Sequence, residues 1–237
     1  MSMLQRNQGI CWKVFSTAED GAQAAYRQIL EVADEAIEAR GCFNLVLAGG
    51  QTPERVYSLL SQANANWSFW HLYYGDERCL PALHPELNSQ MVKRVLTSQV
   101  KIPKNQVHRI PVELGSEVAA CRYAEVLKHA VPFDLVLLGL GEDGHTASLF
   151  PGHDLLSDQL VVPVFGSPKP PKERVSLSVD ALSSCRNLIF LVTGLKKSRA
   201  LSCWKNGALL PASQIGSMGS IDIFVDKAAW GDEKLKC

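Results

Sequence analysis

Short apolar runs alternate with longer stretches of helical spacing along the whole chain. Phe43 to Leu47, Phe69 to Tyr74, Leu135 to Leu138 and Leu188 to Val192 are apolar at most positions, the pattern of strands buried on both faces of a parallel sheet. Shorter runs predict strands at Trp12 to Phe15, Val161 to Phe165 and Arg174 to Val179, and an edge strand at Ile221 to Val225. Between Thr17 and Arg40, alanines recur with Ile29, Val32, Ala33, Ala36 and Ile37 at helical spacing, which predicts a covering helix. Further helices are predicted through Val56, Leu59 and Leu60, from Ser116 to His129, and through Arg199, Leu201 and Trp204, with an amphipathic segment around Met91 to Leu96. The alternation predicts an α/β fold, a mostly parallel sheet with helices on both faces. The length suits one domain over residues 1–237.

Polar chemistry gathers where these strands end. Leu138 is followed by GLGEDGHTASLFPG, whose glycines permit tight turns and deliver Glu142, Asp143 and His145 to the end of a strand where open α/β sheets bind ligands. Thr146 is placed to cap a helix beginning at Ala147, and histidine at such a lip can move protons near neutral pH. Gly, Asp and His are equally the ordinary residues of a turn. Gly139, Gly141 and Gly144 also spell G-x-G-x-x-G, but Glu142 and Asp143 would repel the pyrophosphate of a dinucleotide, and no acidic residue ends the next strand at the required spacing.

Leu47 leads into Ala48-Gly49-Gly50-Gln51-Thr52-Pro53, with Thr52 a candidate N-cap and Pro53 suited to the first helical position. Glycines before a helix start form an anion cradle, and without a P-loop lysine it does not suit a nucleoside triphosphate. After Tyr74 comes Gly75-Asp76-Glu77-Arg78, where Arg78 is a candidate either for an oxyanion or for a structural ion pair. SPKPPKE, residues 167–173, reads as a mobile basic loop leading to Arg174. Lys197 falls in the first turn of a helix, where a cation opposes the dipole and therefore suits a ligand better than the helix.

Composition narrows the partners. Lys plus Arg and Asp plus Glu both number 24, so nothing global favours nucleic acid or an anionic membrane, and any anion must be caught locally. The seven cysteines, including Cys237, are scattered without a C-x-x-C pair, and the remaining histidines lack metal-ligand spacing, so neither a disulfide framework nor a metal site is expected. Reduced thiols, the lack of an apolar leader in the first 15 residues and the lack of a membrane-length apolar run lead to the expectation of a cytoplasmic protein.

LAGGQTP, GDERCLP with the later Asn88-Ser89-Gln90-Met91, GLGEDGHTASLFPG, and Arg174 with Gly194-Leu195-Lys196-Lys197 stand in one order over roughly residues 43–200. Together they resemble the 6-phosphogluconolactonases of the glucosamine-6-phosphate isomerase/6-phosphogluconolactonase family. The resemblance implies a Rossmann-like fold of the NagB/RpiA/CoA transferase-like type. It also implies hydrolysis of 6-phospho-D-glucono-1,5-lactone, the second step of the oxidative pentose phosphate pathway, without cofactor or metal. The only implied partner is that sugar-phosphate lactone; the oligomeric state stays open. On this reading His145 is the general base, Asp143 and Asp76 hold it and its neighbours in orientation, and Arg78 lies near the reacting end. Gly49, Gly50, Gln51, Thr52, Arg174 and Lys197 would hold the phosphate. Two positions depart from the family pattern: Gln51 stands where serine is common, and Glu86-Leu87-Asn88 replaces a usual Asp-Ser-Asn. The related deaminases read DGHIAFNEP after the histidine motif begins, whereas residues 146–152 here read TASLFPG.

Overall fold

The computed structural model describes residues 9–231; residues 1–8 and 232–237, Cys237 among them, lie outside that range. Strands β1 (Ile10–Phe15), β2 (Phe43–Leu47), β3 (Trp70–Tyr74), β4 (Asp76–Arg78), β5 (Val107–His108), β6 (Phe133–Gly139), β7 (Val161–Val164), β8 (Arg174–Leu177), β9 (Cys185–Val192) and β10 (Ser220–Asp226) follow in that order. The helices are α1 (Ala18–Arg40), α2 (Gln51–Leu60), α3 (Asn88–Val92), α4 (Ser116–Leu127), α5 (Val179–Ser183), α6 (Ser198–Lys205) and α7 (Lys227–Trp230).

Seven strands form one sheet in the order β1-β10-β9-β6-β2-β3-β5, and every pairing in it is parallel. Parallel pairing demands crossovers that cover the sheet, and β2, β3, β6, β9 and β10 are accordingly buried at most positions on both faces. The expectation that Ile221 to Val225 forms an edge is corrected. β10 lies between β1 and β9, and its run from Ile221 to Asp226 is wholly buried, whereas the edge strand β1 exposes Ile10 and Val14.

Local signals account for much of this layout. Thr17 caps α1, its hydroxyl accepting from the Asp20 N–H while the Asp20 carboxylate accepts from the Thr17 N–H, and Gly41 closes the helix in the left-handed region at φ 76°. Asp134, the one polar residue at the amino end of β6, ties three elements together: it accepts from the Asn44 N–H at 2.8 Å and pairs with Arg40 at 2.8 Å. A buried carboxylate at a sheet's amino end thus has a structural duty, well away from the strand ends that face the cleft.

A second, antiparallel sheet has the order β4-β8-β7. It departs from the main sheet at Gly75, directly after β3, and its pairing sets Arg78 opposite Arg174. Arg174 therefore enters the site from an antiparallel strand laid beside the rim of the parallel sheet.

Candidate active site

At the carboxyl ends of β2, β3, β6 and β9 the loops enclose a cavity of about 310 Å³. Gly49 and Gly50, Asp76, Arg78, Asn88, Gly141, His145, Lys169, Arg174 and Lys197 all contribute to its wall. Crevices in this position are where open α/β sheets take ligands, because the loops there diverge and the first turns of the following helices point inward.

The loop after β6 folds tightly upon itself. Gly141 donates its N–H to the His145 carbonyl at 2.7 Å, and a Cβ on Gly141 would sit 2.0 Å from His145 Nδ1, so no larger residue fits beneath the imidazole. The Asp143 carboxylate approaches His145 Nδ1 at 2.5 Å, and the Phe150 ring lies 4.7 Å from the imidazole centroid. With Nδ1–H donated to Asp143, the imidazole presents Nε2 as its acceptor. Burial lowers the His145 pKa below the ordinary value and Lys169 adds to this, against the upward pull of Asp143 and Asp76. Burial alone would raise the Asp143 carboxyl, but the charge and hydrogen bonds of His145 outweigh it and hold it below the usual value. The pair is thus a neutral imidazole beside a carboxylate.

No helix begins after Thr146, contrary to expectation. Its hydroxyl donates to the Gly139 carbonyl at 2.8 Å, Ala147 adopts φ 48°, and the chain turns back through a Thr146–Leu149 bridge. A pyrophosphate-binding helix start is consequently missing from the G-x-G-x-x-G segment.

Asp76 lines the cavity but makes no hydrogen bond to His145 among the described residues. It accepts from Asn88 Nδ2 at 3.0 Å and from Ser148 Oγ at 2.6 Å, so Asp76 holds neighbouring groups while Asp143 bonds the imidazole. Asn88 is packed so closely that a Cβ on Gly49 would meet its Oδ1 at 2.1 Å. Glu77, fully buried, accepts the N–H groups of Arg78, Asn88 and Ser89; burial raises its carboxyl, and these three bonds work against the rise. Such an acid, hidden behind the site and fixing its backbone, was not singled out in the sequence, although it stands between Asp76 and Arg78.

The cationic side has four members. Arg78 is held through Nη1 by the Glu86 carbonyl at 2.5 Å, not by an acid, and faces Arg174 across the strand pair. Arg174 donates through Nη2 to the Lys169 and Pro170 carbonyls and through Nε to that of Pro171, and its guanidinium lies 5.7 Å above Phe150. The proline-rich loop expected to be mobile is therefore tied down, and it carries Lys169 into the cavity. Lys169 escaped the sequence reading because a loop has no periodicity to mark which side chains face inward. Lys197 stands at the N-cap position of α6 without a side-chain cap bond, and burial followed by Lys169 lowers its pKa. Like charges opposed across a strand pair are unfavourable on their own, so this convergence suits an anion.

The glycine loop is placed differently from the sequence expectation. α2 begins at Gln51 with Gly50 as N-cap at φ 102°, no side chain caps its first turn, and the segment reaches the cavity wall through Ala48, Gly49 and Gly50. Gln51 is exposed, and Thr52 is neither the N-cap nor part of the wall. The Thr52 hydroxyl instead meets that of Thr193 at 2.6 Å, fastening the start of α2 to the loop that carries Lys197. Among the described residues no group of three or more His, Cys, Asp or Glu side chains could hold a metal ion, and no helix is long and apolar enough to cross a membrane.

Fold and cleft define an α/β protein with a small, cation-rich ligand cavity at the carboxyl rim of a parallel sheet. Residues 16–224 match the family model described as glucosamine-6-phosphate isomerases/6-phosphogluconolactonase, and the chain belongs to this family. It is 36% identical to human 6-phosphogluconolactonase over 91% of each chain, and 33% identical to a chloroplastic 6-phosphogluconolactonase of Arabidopsis thaliana over 84% of this chain and 68% of that one. The crystal structure of 6-phosphogluconolactonase from Thermotoga maritima superposes with a TM-score of 0.86 at 30% identity, over 92% of this chain and all of that one. A monomeric glucosamine-6-phosphate deaminase, 20% identical, shares the fold with a TM-score of 0.82.

Proposed function

We propose that this protein is a 6-phosphogluconolactonase, a single-domain ester hydrolase that converts 6-phospho-D-glucono-1,5-lactone to 6-phospho-D-gluconate in the oxidative pentose phosphate pathway. The observation that carries this reading is the Asp143–His145 pair, an imidazole with Nε2 open, set in a cavity whose remaining charges are mostly cationic. The names of the relatives support the same substrate.

A lactone is an activated ester and requires an oriented water, a base and compensation for negative charge. His145 Nε2 takes a proton from water as its oxygen attacks C1, and Asp143 stabilises the imidazolium so formed. Collapse of the tetrahedral intermediate breaks the bond from C1 to the ring oxygen, and the imidazolium returns its proton to that oxygen. Arg78 lies near the developing charge, with Asn88 and Asp76 setting the wall beside it. Lys197, Lys169 and the N–H groups at Gly49 and Gly50 receive the 6-phosphate, while Arg174 fixes the loop that bears Lys169. No step requires a metal ion, so exhaustive chelation with EDTA should leave the rate unchanged; activity lost on chelation and restored by one divalent ion would overturn that part.

The direct test is hydrolysis of freshly generated 6-phosphogluconolactone measured above its spontaneous rate. Charge-assisted hydrogen bonds are worth roughly 1.5–3 kcal/mol, so Lys197→Ala should lower kcat/KM on the phosphorylated lactone about ten- to a hundredfold. It should barely change the slow turnover of unphosphorylated gluconolactone. Equal damage to both substrates would place Lys197 outside the phosphate site.

A further inference from the structure

A second cavity, of about 580 Å³, opens beside the end of β3 and shares no residue with the catalytic one. Lys93, Lys104 and Arg109 line it, and no carboxylate does. Nearby cations differ in this respect: Arg94, adjacent to Lys93, meets Glu54 at 2.8 Å. Lys93, Lys104 and Arg109 have no side-chain hydrogen bond or ion pair among the described residues. In a chain of zero net charge, three cations without a carboxylate on one concavity make its local potential positive.

The rest of the wall is apolar or neutral. Ile102 and Val107 contribute hydrocarbon, and Leu83 stands at the edge 72% exposed with φ 71°, a conformation unfavourable for a leucine. Tyr74 lines the same wall and is almost wholly buried. Burial and then Glu77 raise the pKa of that phenol, and Arg109 works against them. A volume of this size accommodates a ligand larger than a simple anion, and the apolar surface suits a planar ring.

We propose that this cavity binds a nucleoside phosphate, its phosphates on Lys93, Lys104 and Arg109 and its base against Leu83, Ile102 and Val107. The site backs onto the catalytic one through a single peptide: Ser89 lines this cavity, Asn88 lines the other, and both N–H groups are held by Glu77. Occupancy therefore bears on the loop that positions Asp76 and Arg78.

Calorimetric titration of the full chain with ADP, inorganic pyrophosphate and adenosine, in saturating 6-phosphogluconate, tests this. ADP should bind saturably, more tightly than pyrophosphate or adenosine alone. Two lost charge-assisted contacts should raise its Kd by about a hundredfold or more in Lys93→Ala/Arg109→Ala, whose exposed side chains leave folding and lactone turnover unchanged. Leu83→Ser should weaken ADP and leave pyrophosphate unaffected. The proposal is overturned by no saturable ADP binding up to roughly 10 mM, by an unchanged Kd in the double variant, or by pyrophosphate binding as tightly as ADP. Displacement of ADP by 6-phosphogluconate would also overturn it, since that ligand would then occupy the catalytic cavity. None of these readouts depends on whether the chain hydrolyses the lactone.

Discussion

His145 and His108 both have pKa values lowered by burial, yet their surroundings lead to different outcomes. At His145 a carboxylate lies on one ring nitrogen and a cavity on the other side, so the neutral imidazole is oriented and the imidazolium has a partner. At His108 the neighbour is another histidine. The rings of His71 and His108 stack with centroids 5.6 Å apart, His71 Nδ1 lies 3.3 Å from His108 Nε2, and the Gln106 amide nitrogen lies 3.2 Å from His71 Nε2. The amide donates to Nε2, so His71 carries its proton on Nδ1 and donates it to His108. Tyr73 stacks on the same ring at 4.5 Å, completing a column without an acid, and burial followed by His71 pushes the His108 pKa down to about 4. Burial lowers the pKa of histidine in both places; only His145 has a carboxylate on one nitrogen and a cavity on the other side.

The largest expected contrast is in turnover. His145→Ala should lower kcat by about 10²- to 10⁴-fold while product binding survives, whereas His108→Gln should leave kcat unchanged. Comparable losses in both variants would erase the distinction. Replacing the acid sharpens it: Asp143→Asn should cost about ten- to a hundredfold in kcat, the worth of one charge-assisted hydrogen bond. Because Asp143 pulls the His145 pKa upward, the acid limb of kcat/KM, which lies below the ordinary imidazole value in the native chain, should move to still lower pH in Asp143→Asn. A limb that moves upward would contradict this electrostatic account.

The smallest effect concerns stability. His108 binds its proton less readily folded than unfolded, so the stability it contributes is complete above its unfolded value near 6.5 and is lost as pH falls toward about 4. Urea midpoints measured across that window should fall less steeply in His71→Gln/His108→Gln than in the native chain. Equal slopes would show that the column carries no such linkage.

The sheet strands, α1 with its Thr17 cap and the stretch around His145 were legible because burial on both faces and helical periodicity are written in neighbouring residues, and the glycines that bend a loop stand within it. The sequence did not show that Ile221 to Asp226 lies inside the sheet, since an apolar run reads alike at an edge strand's amino end and between two neighbours. Nor could it show that Thr52 is turned to Thr193, that Arg174 reaches the cleft from a second sheet, or that its hydrogen bonds carry Lys169 there. Each of those outcomes joins segments far apart in the chain, and the number of possible partners for one polar side chain is too large for local pattern to choose among them. By itself the sequence determined where most strands and helices lie and which residue types stand at the strand ends. Only the tertiary structure decided which side chains face one another across the cavity, because that depends on strand order and pairing register, which are fixed by the packing of the whole sheet.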